Sequence, residues 1–167
     1  MQLMNFKDAN CKNCYKCVRA CPVKAIKFSD HQAIIDDERC IACGQCFLAC
    51  PQNARNVLSD IDKVMNAFKK DLNMIALIAP SFAGFYKNKG GFIRGLQLLG
   101  FDKVIEVSAG AEEVTRLYGE YMEMEKPKYG ISSCCPTVNL LIRRYYKGVA
   151  NYLLPVVSPM IATGKAV

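Results

Sequence analysis

Tryptophan is absent from the 167 residues of this chain, and histidine occurs once, as His31. The sequence has no block of five like charges and no basic stripe interleaved with aromatic residues, although its formal net charge is +7. We therefore expect a solvated charged surface and no nucleic-acid partner. A stretch of about eighteen apolar residues is also missing, which predicts that the chain has no membrane span.

The first residues lack the long apolar region of a secretory signal. Disulfide frameworks belong to oxidising compartments, so a disulfide-rich fold is not expected here. We expect a cytoplasmic protein whose cysteines serve another purpose.

Cysteine is plentiful, and eight of the ten cysteines form two copies of the pattern C-x2-C-x2-C-x3-C-P. The first copy is Cys11, Cys14, Cys17, Cys21 and Pro22, and the second is Cys40, Cys43, Cys46, Cys50 and Pro51. This spacing is that of bacterial two-cluster ferredoxins, and it predicts two 4Fe–4S clusters and electron transfer. Zinc, the alternative, usually takes separated C-x2-C pairs instead.

The last cysteine of each run serves the other cluster in such folds. We therefore assign cluster one to Cys11, Cys14, Cys17 and Cys50, and cluster two to Cys40, Cys43, Cys46 and Cys21. The crossing would tie the two halves of the domain together.

The sequence predicts a two-cluster domain over residues 1–57 that contains an internal repeat offset by 29 residues. Between the cysteine runs, two apolar segments flank a polar turn and predict a β-hairpin. His31 falls at its tip, where an exposed turn residue is favoured over a metal ligand. The pattern over residues 58–72 predicts a connecting helix, with a capping box at Ser59–Asp62 and one buried face.

Residues 73–167 alternate strand and helix patterns, which predicts a parallel sheet. The strands are predicted at 74–79, 103–107 and 128–131, the first one buried on both faces, and the helices at 91–99, 111–125 and 137–146. The fold class is therefore an α+β ferredoxin-type domain followed by a partial α/β parallel-sheet domain.

Cys134 and Cys135 follow the third predicted strand, at the sheet edge where functional residues gather. Pro136 suits the first position of a helix. A helix N-terminus stabilises a thiolate, so a metal ligand or proton donor can be built here. Buried structural thiols and a strained vicinal disulfide are the alternatives.

Several segments together resemble the start of the catalytic domain of the iron-only hydrogenase large subunits. They are Ala79–Ser81, Leu99–Val104, Ser132–Pro136 and Ser158–Pro159. A two-cluster ferredoxin domain in front also fits, and residues 132–141 are most similar to the sensory-type subgroup.

The resemblance implies roles for individual residues. Cys135 would ligate the cubane of the catalytic cluster, and Cys134 would transfer protons to the di-iron site. Ala79, Pro80 and Ser81 would line the di-iron pocket. The implied reaction is the reversible reduction of protons to dihydrogen.

The family holds its catalytic cubane with four cysteines, three of them from later motifs, and no cysteine follows Cys135 here. We therefore expect a C-terminally incomplete chain without independent activity. A catalytic di-iron cluster is expected only if the missing ligands come from elsewhere.

Three functions remain open: an electron carrier, a subunit or fragment of a hydrogenase, and a redox-sensing regulator. The expected partners are a redox protein and either the remainder of a hydrogenase-like domain or a signalling protein.

Overall fold

The computed structural model of the chain describes residues 4–6 and 10–167, with side chains from residue 10 onward. The chain divides into two compact units, one comprising Met1–Ser59 and Pro136–Ala150, the other Asp60–Cys135 and Asn151–Val167. Residues 136–150 thus pack with the first unit, although the sequence analysis places them in the second domain. The predicted domain boundaries stay a prediction, and residues 1–3 and 7–9 lie outside the described part.

The elements up to residue 69 are β1 (Met4–Phe6), α1 (Lys16–Ala20), β2 (Ile26–Ser29), β3 (Gln32–Ile35), α2 (Gln45–Leu48), β4 (Arg55–Val57) and α3 (Ile61–Lys69). The later elements are β5 (Ile75–Ile78), α4 (Phe82–Phe85), α5 (Lys89–Leu98), β6 (Lys103–Glu106), α6 (Ser108–Glu125), α7 (Pro136–Tyr145), a 3₁₀ helix (Lys147–Tyr152) and α8 (Pro159–Ala166). Within the described residues, no helix is both apolar enough and long enough to cross a membrane.

The predicted hairpin is confirmed. Strands β2 and β3 pair antiparallel, and Ser29 faces Gln32 at the end of the ladder. The two turn residues, Asp30 and His31, have φ of 50° and 59°. Positive φ at both central positions is the hallmark of a type I′ turn, which matches the twist of the flanking strands. His31 is exposed at the tip, as predicted.

The internal repeat is visible in the backbone. Residues with positive φ recur at the offset of 29, in the pairs Asn13 and Ala42, Tyr15 and Gly44, and Lys24 and Asn53. The strands follow the same rule, since β1 pairs with β4 as β2 pairs with β3, both antiparallel. Each half of the repeat therefore builds the same loop, short helix and strand.

The core of the first unit is made largely of cysteine. Its cluster of buried side chains comprises Cys17, Cys21, Ala25, Ile26, Ala33 and Cys46. Cys11 and Cys40 pack against it from partly buried positions. The repeat thus directs the thiols of both runs inward, with the exception of the exposed Cys14.

A parallel pair of strands forms the sheet of the second unit. Strand β5 pairs with β6 in the register Ile75–Lys103 to Ile78–Glu106, and α4 and α5 lie in the crossover. The first two predicted strands are thereby confirmed. The expected burial of the first one on both faces is wrong, because β5 is half-buried with Ile75 exposed. Both strands are edges of this two-stranded sheet, so neither is enclosed.

The predicted third strand at 128–131 is reduced to a single bridge. Ile131 pairs in parallel with Leu153, and its amide donates to the carbonyl of Tyr152 at 2.7 Å. Helix α6 ends at Lys126 in a left-handed conformation (φ 43°). Only Ile131 remains in ladder geometry after that turn, so no continuous third strand forms.

Helix α3 departs from its prediction at two points. It begins at Ile61 with Asp60 as N-cap, and the Asp60 carboxylate pairs with Lys63 at 2.6 Å instead of capping the helix. Of the predicted buried stripe, Ile61 is 67% and Met65 49% exposed. Phe68 carries the packing, edge-to-face on Phe101 with ring centroids 5.1 Å apart.

Candidate metal centre

Three cysteines of the first run and Cys50 line one cavity. The loop before α1 supplies Cys11 and Cys14, α1 itself supplies Cys17, and the end of the second run supplies Cys50. These are the four residues that the crossed pattern assigns to cluster one. Four thiolates around one space are the donor set that a 4Fe–4S cubane requires. The residues present therefore fit this group.

The rest of the cavity wall is apolar or cationic. Tyr15 and Phe28 stack with ring centroids 4.3 Å apart, and Ala54 completes the apolar side. Lys12 and Lys16 are exposed at the same cavity. An apolar wall limits water, and nearby cations stabilise the net negative charge of a thiolate-bound cluster.

The second set of four cysteines also comes together. Burial raises the pKa of the Cys46 thiol, the Arg55 charge lowers that pKa, and the thiols of Cys40, Cys43 and Cys21 raise it again. Cys21 and Cys46 also belong to one buried cluster of side chains, and Cys40 packs against that cluster. The three thiols that act on Cys46 are those that the crossed pattern assigns to the same cluster.

Backbone amides point at three of the sulfur atoms. Ala25 N donates to Cys21 Sγ at 3.2 Å, and the repeat-related Ala54 N donates to Cys50 Sγ at 3.4 Å. Ala42 N donates to Cys40 Sγ, also at 3.4 Å. Turns with residues of positive φ orient consecutive amides toward an anion, a geometry common at iron–sulfur sites. Hydrogen bonds to sulfur stabilise its negative charge and tune the cluster potential.

Arg55 is a site residue that the sequence analysis did not single out. Its side chain lines the cavity of the first set and is only 4% exposed. The repeat could have revealed it, since the equivalent position in the first half is the apolar Ile26. A buried guanidinium favours negative charge nearby, so the place of Arg55 at the cavity of Cys11, Cys14, Cys17 and Cys50 suits an anionic occupant.

Cys134 and Cys135 are both exposed. The interpretation as buried structural thiols is therefore wrong, whereas the expected helix start at Pro136 is confirmed. The Cys134 thiol lies 3.0 Å from Ser132 Oγ, which is 2.9 Å from Tyr118 Oη. These contacts place Cys134 at the end of a chain of hydroxyl groups.

Ala79, Pro80 and Ser81 follow directly after β5 and are exposed. The amides of Phe82 and Ala83 donate to the carbonyls of Ala79 and Pro80 at 3.0 and 3.1 Å, forming a tight turn into α4. Their predicted role in lining a di-iron pocket stays a prediction.

Residues 72–167 do not fit a third cubane by themselves. They contain two cysteines, Cys134 and Cys135, whereas a cubane takes four ligands. We derive no chemistry at a catalytic cluster from this chain.

Two thiol sets in a repeated loop–helix–strand fold define an iron–sulfur protein of the dicluster ferredoxin class. In agreement, residues 10–54 match the family model of the 4Fe-4S dicluster domain. Residues 72–167 match that of the iron only hydrogenase large subunit, C-terminal domain. Because this match covers more than half of the chain, the protein belongs to the iron-only hydrogenase large-subunit family. The resemblance drawn from the sequence is thereby confirmed at the level of the family.

Proposed function

We propose that the chain is an iron–sulfur electron-transfer protein that binds two 4Fe–4S clusters and is fused to a hydrogenase-type domain. Cys11, Cys14, Cys17 and Cys50 would hold the first cluster. Cys40, Cys43, Cys46 and Cys21 would hold the second. When bound, the clusters supply one-electron redox chemistry, and the chain supplies their ligands, their insulation and their surrounding charge.

The observation that carries this proposal is the cavity shared by Cys11, Cys14, Cys17 and Cys50. If the cysteines of the first run formed disulfides or bound zinc, nothing would require a cysteine of the second run to line the same cavity. The apolar wall of Tyr15 and Phe28 and the buried Arg55 also suit an anionic cluster.

The first test is composition. The chain, purified without oxygen, should contain about eight iron and eight sulfide per polypeptide, as two cubanes require. Reduction should give two interacting electron paramagnetic resonance signals. Correctly folded protein without iron would refute the proposal.

The crossed ligand assignment has a sharper test that uses non-additivity. In a Cys11→Ala/Cys14→Ala background the first cluster is already lost. Adding Cys50→Ala should then leave the remaining iron unchanged, whereas adding Cys21→Ala should remove it. The reverse result would show that each run holds its own cluster.

We propose that an acidic redox protein exchanges electrons at the first cluster. Cys14 is exposed there, between the exposed Lys12 and Lys16. Positive charge beside the exposed edge would steer an acidic partner and make the rate of electron exchange fall with salt. The double change Lys12→Glu/Lys16→Glu should slow this exchange and weaken its salt dependence. Lys69→Glu/Lys70→Glu serves as a control with the same change in charge.

A hydrogenase role is the second candidate, favoured by the hydroxyl chain that ends at Cys134. The side chain of Ser132 lies within hydrogen-bond distance of both Tyr118 and Cys134, so the three groups form a chain. Such a chain can carry protons between solvent and a thiol. Cys135 would be one ligand of a catalytic cubane, and the other three thiolates would have to come from outside these 167 residues. Hydrogen evolution after co-expression with the maturation machinery would support this role.

A redox-sensing regulator is the remaining alternative. Binding of a signalling partner that depends on the oxidation state of the clusters would favour it over the carrier. Partner binding that ignores oxidation state would argue against it.

A further inference from the structure

The turn that leads into the second cysteine run is held by internal acceptors for three of its amides. Asp36 Oδ1 accepts from the amides of Glu38 and Arg39 at 3.1 and 3.3 Å. The amide of Cys40 donates to the carbonyl of Asp36 at 2.8 Å. The carbonyl groups of the turn accept hydrogen bonds from another segment of the first unit.

Helix α7 supplies the donors for these carbonyls from about a hundred residues further along the chain. It makes four hydrogen bonds to the segment: Arg144 Nη1 to Asp37 O at 2.7 Å, Arg144 Nη1 to Cys40 O, Tyr145 Oη to Arg39 O at 2.7 Å, and Thr137 Oγ1 to Ala42 O at 3.3 Å. Donors on one helix thus bind the backbone on both sides of Cys40.

We infer that Arg144 is a positioning residue for the second iron–sulfur cluster. It fixes the backbone of the loop that carries the ligand Cys40, and it raises the reduction potential of the cluster. The inference rests on the proposed function, because it needs a cluster on Cys40, Cys43, Cys46 and Cys21. Helix α7 therefore completes the second cluster site, even though it lies in the part of the chain that matches the hydrogenase domain.

The physical basis is charge together with geometry. Reduction adds negative charge to a cluster, so a cation hydrogen-bonded to a ligand's own carbonyl stabilises the reduced form. Both bonds come from Nη1, whose two hydrogens are fixed in the guanidinium plane, whereas the hydrogens of an ammonium group rotate. In the first run the comparable donor is local and exposed: Arg19 Nη2 donates to Cys14 O at 3.3 Å. Arg144 is half-buried and should act more strongly on its own cluster.

The experiment measures the reduction potential of each cluster separately. Two backgrounds of the full chain are used, Cys14→Ala, which leaves only the second cysteine set complete, and Cys43→Ala, which leaves only the first. Arg144→Gln is introduced into each, and the potential is followed by electron paramagnetic resonance during redox titration. Arg143→Gln is the matched control, because Arg143 carries the same charge one residue away on an exposed part of α7.

Arg144→Gln should shift the potential to more negative values in the Cys14→Ala background and leave it unchanged in the Cys43→Ala background. Arg144→Lys should restore part of the shift, since it keeps the charge but not the planar Nη1 donor. Arg143→Gln should have a smaller effect in both. If Arg144→Gln loses iron altogether, the same comparison is made with Arg144→Lys, which should still lie below the parent.

Equal shifts in both backgrounds, no shift in the Cys14→Ala background, or equal effects of Arg143→Gln and Arg144→Gln would overturn the inference. These outcomes leave the proposed function intact. A parent chain without iron–sulfur clusters would refute the proposed function instead, so the two failures are distinguishable.

Discussion

The two compact units bury different kinds of side chain. The first buries the thiols of Cys17, Cys21 and Cys46 among alanine and isoleucine side chains, together with the guanidinium of Arg55. The second buries Val107, Val114, Leu154 and the hydroxyl of Thr163, which donates to Pro159 O at 2.9 Å. One core is thus built around groups that bind metal, and the other around ordinary helix packing.

This difference indicates which interactions stabilise each unit. The first unit also buries Ile26, Ile41 and Ile142, and its enclosed thiols would add the stabilisation of whatever they bind. The second unit depends on the close contact of α6 with α8, where Gly110 faces α8 directly. The same disturbance should therefore affect the two units very differently.

Removal of iron should have the largest effect, and it should be confined to the first unit. Under the proposed function, anaerobic chelation removes the iron that the eight thiolates would ligate, and metal-binding energy at such sites is folding energy. Amide exchange in β2, β3 and α1 should accelerate by roughly a hundredfold or more, whereas α6 should keep its protection. Mass spectrometry of exchanged peptides resolves the two units. Equal acceleration in both would contradict the comparison.

Replacing Arg55 tests whether the thiol core requires a cation. Arg55→Leu removes a buried charge that acts on the cysteine sites, so bound iron should be lost faster to a chelator and the cluster potentials should fall. Arg55→Lys should preserve most of both. Lys16→Leu is the control, because this exposed cation at the same cavity is screened by water and should change less. Similar losses in both Leu variants would show that burial of the charge is irrelevant.

Gly110→Ala should disturb the second unit alone. The added Cβ would collide with Thr163 Oγ1 and the carbonyl oxygen of Pro159, so α8 must move. Overpacking of this kind costs about 1–3 kcal/mol. Urea unfolding followed by circular dichroism should report the loss, while iron content stays at the parent value.

Gly119→Ala is the matched control on the same helix, because its Cβ would meet no atom within 4 Å. The change should stabilise α6 by about 0.5–1 kcal/mol through helix propensity. A loss of stability in Gly119→Ala equal to that in Gly110→Ala would show that the α6–α8 contact is not the cause.

The repeated features of the first unit could be predicted from the sequence, whereas the features that occur only once could not. The cysteine spacing, the offset of 29 and the hairpin around His31 are local patterns that require the same backbone twice, so they were predictable. Arg55 became notable only once the repeat showed Ile26 at the equivalent position. The bonds from Arg144 to Asp37 and Cys40 join segments about a hundred residues apart, and no local pattern encodes such a pairing.

The second unit was less predictable for a related reason. A buried strand and a half-buried edge strand share the same apolar run, so the sequence of β5 could not reveal its exposure. The third strand failed because the turn at Lys126 and the pairing of Ile131 with Leu153 depend on tertiary contacts. For Ala79, Pro80, Ser81, Cys134 and Cys135, the structure gives positions, and their roles stay predictions.

The smallest expected effect is a pH dependence on the surface of α6. Arg116 hydrogen-bonds Glu113 and holds the pKa of that carboxyl below its ordinary value of 4.5. A carboxyl whose pKa is lowered in the folded state contributes stability above its unfolded pKa, and this stability is lost as the pH falls through the folded pKa. Glu113→Gln should therefore weaken the protection of α6 from amide exchange at pH 7 and have a smaller effect near pH 3. Glu123→Gln, an exposed change on the same helix, should leave protection unchanged at both values. A Glu113→Gln effect that persists undiminished at low pH would mean that shape, not charge, is responsible.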